Sequence, residues 1–134
     1  MPHVTLHVVE EQVAGREAAL IDGLTDVVAE VYGEWARELA VVQLLAVPAG
    51  RWAVGGQVRT DPPPIVDFGV RAIALSHPDF KQIIERLAAG VTDVVARIVA
   101  EHHRDAVQVN FHFHHDEHTA VGGRLVSDTA ATPG

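Results

Sequence analysis

The residues Gly23-Leu24-Thr25-Asp26-Val27-Val28 return as Gly90-Val91-Thr92-Asp93-Val94-Val95, a spacing of 90 − 23 = 67. Ala53-Val54-Gly55-Gly56 return as Ala120-Val121-Gly122-Gly123, and 120 − 53 is again 67. The same spacing pairs Glu34 with Glu101, Arg37 with Arg104, Glu38 with Asp105 and Asp61 with Asp128, with no gap in the register. A chain of 134 residues that repeats itself once in this way holds too little material for two ordinary domains. It reads instead as one supersecondary unit duplicated and fused.

The unit itself is legible from periodicity. His3 to Val8 alternates polar and apolar residues, the period of a strand. From about Val13 to Tyr32, Leu20, Leu24, Val27, Val28 and Val31 fall at helical spacing. Val41 to Val47 is a nearly continuous apolar strand. In the second copy the expected elements are a strand from Val70 to Leu75, a helix opening at Ser76-His77-Pro78, and a strand from Val107 to His114. The repeats are placed at 2–61 and 69–128, one domain over 1–128, with Asp61-Pro62-Pro63-Pro64 as a stiff linker and 129–134 as a loose tail.

A β-α-β crossover makes its two strands parallel with the helix on one face. The fold class predicted is therefore α+β: two tandem β-α-β units forming a four-stranded sheet with both helices on the same face. Because Val41 to Val47 is apolar on both sides, the uncovered sheet face needs a partner, and oligomerisation is expected. The formal charge of −8 argues against a nucleic-acid partner. No segment approaches the roughly 18 apolar residues of a membrane span, and no basic, apolar leader is visible. A cytoplasmic protein without disulfides is expected, since the sequence contains no cysteine.

Pro2 directly after Met1, the Thr25-Asp26 segment, and the hairpin Pro48-Ala49-Gly50-Arg51-Trp52-Ala53-Val54-Gly55-Gly56 resemble the tautomerase superfamily. The duplication makes the chain similar to its fused members, with features of the 4-oxalocrotonate tautomerase and cis-3-chloroacrylic acid dehalogenase families. The resemblance implies a homotrimer of fused chains, no cofactor, a small-molecule substrate and catalysis by the amine of Pro2. Removal of Met1 would leave Pro2 a secondary amine, and an α-amino group titrates at about 7.7–8.0, near enough to neutral for a general base. Desolvation or a neighbouring cation would lower it further, and a high pKa would make it an acid instead.

The resemblance implies further roles around Pro2. Trp52 stands where the family has an aromatic wall, and Glu38, in Gly33-Glu34-Trp35-Ala36-Arg37-Glu38, stands near an assisting carboxylate of the decarboxylase branch. The arginines that clamp carboxylate substrates in the family are missing: the corresponding positions hold Gln12 and Val41, Ile73 and Ser76, or His77 and Asp79. Other catalytic positions of the dehalogenase branch fall on Val28, Asn110 and Val121. Arg71, Arg124 and Arg51 are candidate substitute cations, and His77 and Asn110 complete the expected substrate-binding set. The expectation is a tautomerase-like isomerase acting on a less anionic substrate, with a hydratase or lyase, or an inactive binding trimer, as alternatives.

Four histidines lie within His112-Phe113-His114-His115-Asp116-Glu117-His118. On a strand His112, His114 and Asp116 share a face with Asn110, while Phe111 and Phe113 face the helices. Two imidazoles and a carboxylate in alternation have zinc-ligand chemistry. A polar layer between subunits is the preferred reading, and no metal is assigned.

Overall fold

The computed structural model describes residues 2–129. Four strands form one sheet: β1 (His3–Val9), β2 (Val41–Val47), β5 (Ile65–Arg71) and β6 (Gln108–His114), in the spatial order β2-β1-β5-β6. Each repeat contributes a parallel pair, β1 with β2 and β5 with β6, as a β-α-β crossover requires. The two pairs meet antiparallel at the centre, His3 opposite Gly69 and His7 opposite Ile65. The start of β1 therefore lies beside the end of β5. Two small hairpins project beyond the sheet, β3 (Ala53–Val54) with β4 (Gln57–Val58), and β7 (Ala120–Val121) with β8 (Arg124–Leu125).

The helices α2 (Glu17–Tyr32) and α3 (Phe80–Ile98) cover one face, α1 (Glu10–Val13) is a single turn after β1, and α4 (Val126–Thr129) follows the second hairpin. Val4, Leu6, Val8, Val66, Phe68 and Val70 point into a core shared with Leu20, Leu24, Val28, Leu87, Val91 and Val95, all of them buried. Phe111 packs on Phe68 with ring centroids 5.7 Å apart and Phe113 on Phe80 at 5.6 Å, so both face the helices as their alternation predicts. The helices meet where Gly23 faces Val94 and Gly90 faces Val27. A Cβ at Gly23 would stand 2.7 Å from Val94 Cγ1, and one at Gly90 2.9 Å from Val27 Cγ1. The repeated glycine is thus a close-approach residue.

The other repeated residues hold short 3₁₀ helices. In the first copy Arg37 bridges Glu34 and Asp26, tying the 3₁₀ turn Glu34–Leu39 to α2. In the second copy Arg104 bridges Glu101 and Asp93 in the same arrangement. Both guanidiniums are held above their ordinary pKa by hydrogen bonds to these carboxylates.

The structure corrects several boundaries. The third large strand is Ile65–Arg71, not Val70 to Leu75, and Ala72–Ser76 is a 3₁₀ turn. Alternation over Ile65-Val66-Asp67-Phe68-Gly69-Val70 satisfies a strand as well, and places Val66, Phe68 and Val70 inside. Helix α3 has 19 residues where α2 has 16, and the extra length absorbs most of the displacement. The gapless spacing therefore holds from the helices onward but not for the first strand of each copy. The second β-α-β unit accordingly starts before residue 69. Pro78 precedes the Asp79 N-cap and is not inside α3. The first helix is broken by Ala14-Gly15-Arg16, where Gly15 has φ +81°. The proline segment is no free spacer, since Pro62 and Pro64 are buried. Of the expected tail, residues 130–134 lie outside the described residues and Thr129 ends α4.

Candidate functional site

Pro2 is half-buried and opens β1, its carbonyl accepting from the Val41 backbone N–H at 3.0 Å. That bond joins it to the first residue of β2, three residues beyond Glu38, which is exposed in the 3₁₀ turn. The antiparallel register brings the end of β5, Arg71, to the same end of the sheet. Arg71 pairs with His114 in the β5–β6 register, and the chain then turns through Asp116 into the β7–β8 hairpin that carries the exposed Arg124. Pro2, Glu38, Arg71 and Arg124 therefore belong to one end of the molecule.

Arg71 has a built-in counter-ion. Its Nε and Nη2 donate to the two oxygens of Asp116 at 3.2 and 2.7 Å. The pairing holds Arg71 above, and Asp116 below, the ordinary range for its type. The fork that would suit a substrate carboxylate is already engaged by one from the chain itself. The sequence signal for this partner lay in Asp116 of the histidine-rich segment, where it read as a metal donor. His114 lies across Gly69: a Cβ there would be 2.8 Å from the His114 Nε2. The missing side chain at Gly69 thus makes room for an imidazole next to the start of β1.

Other expected site residues fall elsewhere. Trp52 follows the far end of β2, the opposite end of the sheet from Pro2, where its carbonyl accepts from Arg59 in the first hairpin. A seven-residue strand spans roughly 20 Å, so one chain's Trp52 is no wall for its own Pro2. His77 lies on the helix side, where its Nδ1 accepts from the Asp79 backbone N–H. It helps to line a groove of about 420 Å³ with Val31, Tyr32, Val70, Phe80 and Arg86. Burial raises the pKa of the Tyr32 phenol there.

Asn110 is in the middle of the open sheet face, donating to Asp67 Oδ1 at 3.3 Å. His7 Nε2 lies 2.8 Å from Asp67 Oδ2, and His112 Nε2 3.2 Å from Oδ1, so a polar row crosses β1, β5 and β6. Burial alone would raise the pKa of Asp67, but hydrogen bonds from His112, Asn110 and His7 outweigh it and hold it below its ordinary value. With His112 on Asp67 and Asp116 on Arg71, the alternating donors of the last strand do not converge. Among the described residues the histidines and carboxylate that do converge are Asp61, His102 and His103, at the Pro64 end. Sequence spacing hides them, because Asp61 is about forty residues from the paired histidines.

The open face is consequently less apolar than the second strand alone suggests. Leu45 is exposed on it at the edge, while Thr5, His7, Gln43, Asp67, Asn110 and His112 supply most of the rest. Gln12, at a position where the family resemblance led us to look for an arginine, is buried. It accepts from the Val9 N–H and donates to Asp61 Oδ1 and the Pro62 carbonyl.

A duplicated β-α-β sheet with Pro2 opening its central strand defines a fused tautomerase-like fold. Residues 2–61 match the family model described as tautomerase enzyme. No curated protein matches the chain significantly in sequence. Among solved structures, the asymmetric trimer of wild-type fused 4-OT F6 superposes with a TM-score of 0.78 at 19% identity, covering 95% of this chain and 98% of that one. Pt0534, inactivated by 2-oxo-3-pentynoate, gives 0.75 at 17% identity, with 94% and 98% covered. N1, a member of the cis-3-chloroacrylic acid dehalogenase family, gives 0.71 at 20% identity, with 92% and 82% covered. The family model covers the first repeat, and over its whole length the chain has the fold of these fused two-repeat structures. No helix among the described residues is long and apolar enough to cross a membrane.

Proposed function

We propose that the chain is a tautomerase-like isomerase in which the amine of Pro2, free once Met1 is removed, moves a proton between the enol and keto forms of a small substrate. The observation that carries this reading is the position of Pro2. It opens a central strand at the sheet end shared with Glu38, Arg71 and the second hairpin. A neutral secondary amine takes a proton from the enol oxygen or the adjacent carbon, and the resulting ammonium returns one at the other position. Nothing is added or lost, and the amine is regenerated.

The charges around this end favour a substrate without a carboxylate, or one weakly anionic. Arg71 is engaged by Asp116. Three copies packing through the open sheet face would form the working unit, with the first hairpin of one copy reaching another copy's Pro2 end. That arrangement would give Trp52 the role of wall that a single chain denies it. Glu38, exposed at the Pro2 end, favours a second reading, in which protonated Pro2 is the acid and Glu38 orients a water for addition to the substrate.

The test is to follow the decay of pre-formed enols, with and without a carboxylate, by ultraviolet absorbance. Protein with free Pro2 is compared with protein carrying one extra N-terminal residue. Proton transfer by a positioned group contributes typically 10²–10⁴-fold, so the extension is expected to cost at least about 100-fold. Equal rates for both forms would remove Pro2 from the mechanism. A product heavier by one water would replace isomerisation by hydration.

A further inference from the structure

The end of the sheet opposite Pro2 is a second copy of the same architecture, rebuilt. Pro64 opens β5 as Pro2 opens β1, and its carbonyl faces the Gln108 N–H at 3.4 Å as that of Pro2 faces Val41. Pro64 lies inside the chain, so its nitrogen is an amide and has no proton chemistry. The 3₁₀ turn Glu101–Ala106 leads into β6 as Glu34–Leu39 leads into β2. At the positions that hold Trp35 and Ala36 in the first turn, the second holds His102 and His103, since 35 + 67 = 102 and 36 + 67 = 103. The histidines are therefore a departure from the repeat and not part of it.

Both imidazoles turn towards one carboxylate. His102 Nε2 stands 2.8 Å from Asp61 Oδ2 and His103 Nε2 2.9 Å from Oδ1, and the rings lie 4.0 Å apart. The three donor groups lie within 4.8 Å of one another. His103 is buried, and Gln12 fixes Asp61 from behind by donating to Oδ1 at 3.0 Å. In front is an open recess of about 330 Å³, lined by Glu11, Arg16, Thr60 and His102. Arg16 donates to the carbonyls of Ile98 and Val99 and is held there.

We propose that Asp61, His102 and His103 bind a divalent first-row transition ion such as zinc. Two imidazole nitrogens and a carboxylate, with solvent-open positions left over, form a donor set for such ions. Gln12 then acts on the carboxylate from the outer shell, holding it in place. Binding at the two Nε2 atoms takes the place of their hydrogen bonds to Asp61 and leaves each neutral imidazole its hydrogen on Nδ1. The site is separate from the Pro2 end and does not depend on the activity proposed there.

The test uses Co²⁺ and Zn²⁺ on the full chain, with visible absorption of bound Co²⁺ and calorimetry of Zn²⁺. His102→Gln is the deciding variant because His102 is exposed and its loss spares the core; Asp61→Asn is the second, since it keeps a hydrogen-bonding oxygen for Gln12. His115→Gln/His118→Gln is the control, as those rings also lie close, 5.7 Å apart. One ion per chain is expected, its affinity falling at least about tenfold in the first two variants and unchanged in the control. Circular dichroism verifies that each variant is folded. The proposal is overturned if the wild type takes up neither ion, if folded His102→Gln binds like wild type, or if only the control loses the ion.

Discussion

Glycines and charges decide most at the residue scale. Replacing Gly23 with Ala should gain up to about 1 kcal/mol of helix propensity, yet its Cβ would stand 2.7 Å from Val94 Cγ1 in the buried helix contact. Overpacking of that kind costs about 1–3 kcal/mol, so Gly23→Ala is expected to lower the urea midpoint. A raised midpoint would show that the helices do not meet there. Asp67 gives a second prediction at this scale. Its folded pKa lies below 3.8, so its contribution to stability is present above that value and is lost as pH falls through the folded value. Wild type should therefore lose more melting temperature than Asp67→Asn between pH 5 and pH 2.5, and equal losses would count against the His7–Asp67–His112 row. The repeated glycine and the ion triads were legible in the sequence as a spacing. Their role was not, because a spacing does not reveal that Gly23 faces Val94 across the chain.

Elements explain why the site was read only in part. The strands β1, β2 and β6 follow from alternation and apolar runs, and the structure places them as the sequence predicts to within a residue. The strand β5 does not, because the strict spacing of 67 pointed to Val70–Leu75 while the chain pairs from Ile65. The second unit carries most of its extra residues in the longer helix α3. The same displacement moves Arg71 from the start of a strand to the end of one, and so to Pro2. The Arg71–Asp116 pair is an element-level clasp between β5 and the turn after β6. Asp116→Asn removes a negative charge from beside the guanidinium and should improve KM for a carboxylate-bearing enol relative to a neutral one. The ratio of the two KM values measures it, and an unchanged ratio would mean that Arg71 does not face substrate.

For the whole molecule, the sheet has one covered face and one open, mixed face. Leu45 is 48% exposed on the open face, beside polar residues that would be well served by partners across an interface. Leu45→Glu is expected to shift the mass measured by light scattering from that of three 14.4 kDa chains towards one. An unchanged trimer would place the interface elsewhere, and a wild-type monomer would remove it. Assembly also bears on legibility. Pro2 and Trp52 read as neighbours from the hairpin motif, yet they sit at opposite ends of one chain. In the proposed trimer the two would meet across copies, which a sequence motif does not record.

Catalysis by Pro2 stands or falls on whether it is a reactive, free amine. Purified protein is treated with 2-oxo-3-pentynoate and, separately, with a neutral alkynyl ketone, and its intact mass and N-terminal peptide are measured. Loss of Met1 and a single adduct on Pro2, formed faster with the neutral reagent, are expected. Retained Met1, or a free Pro2 left unlabelled by both reagents, would contradict catalysis by Pro2.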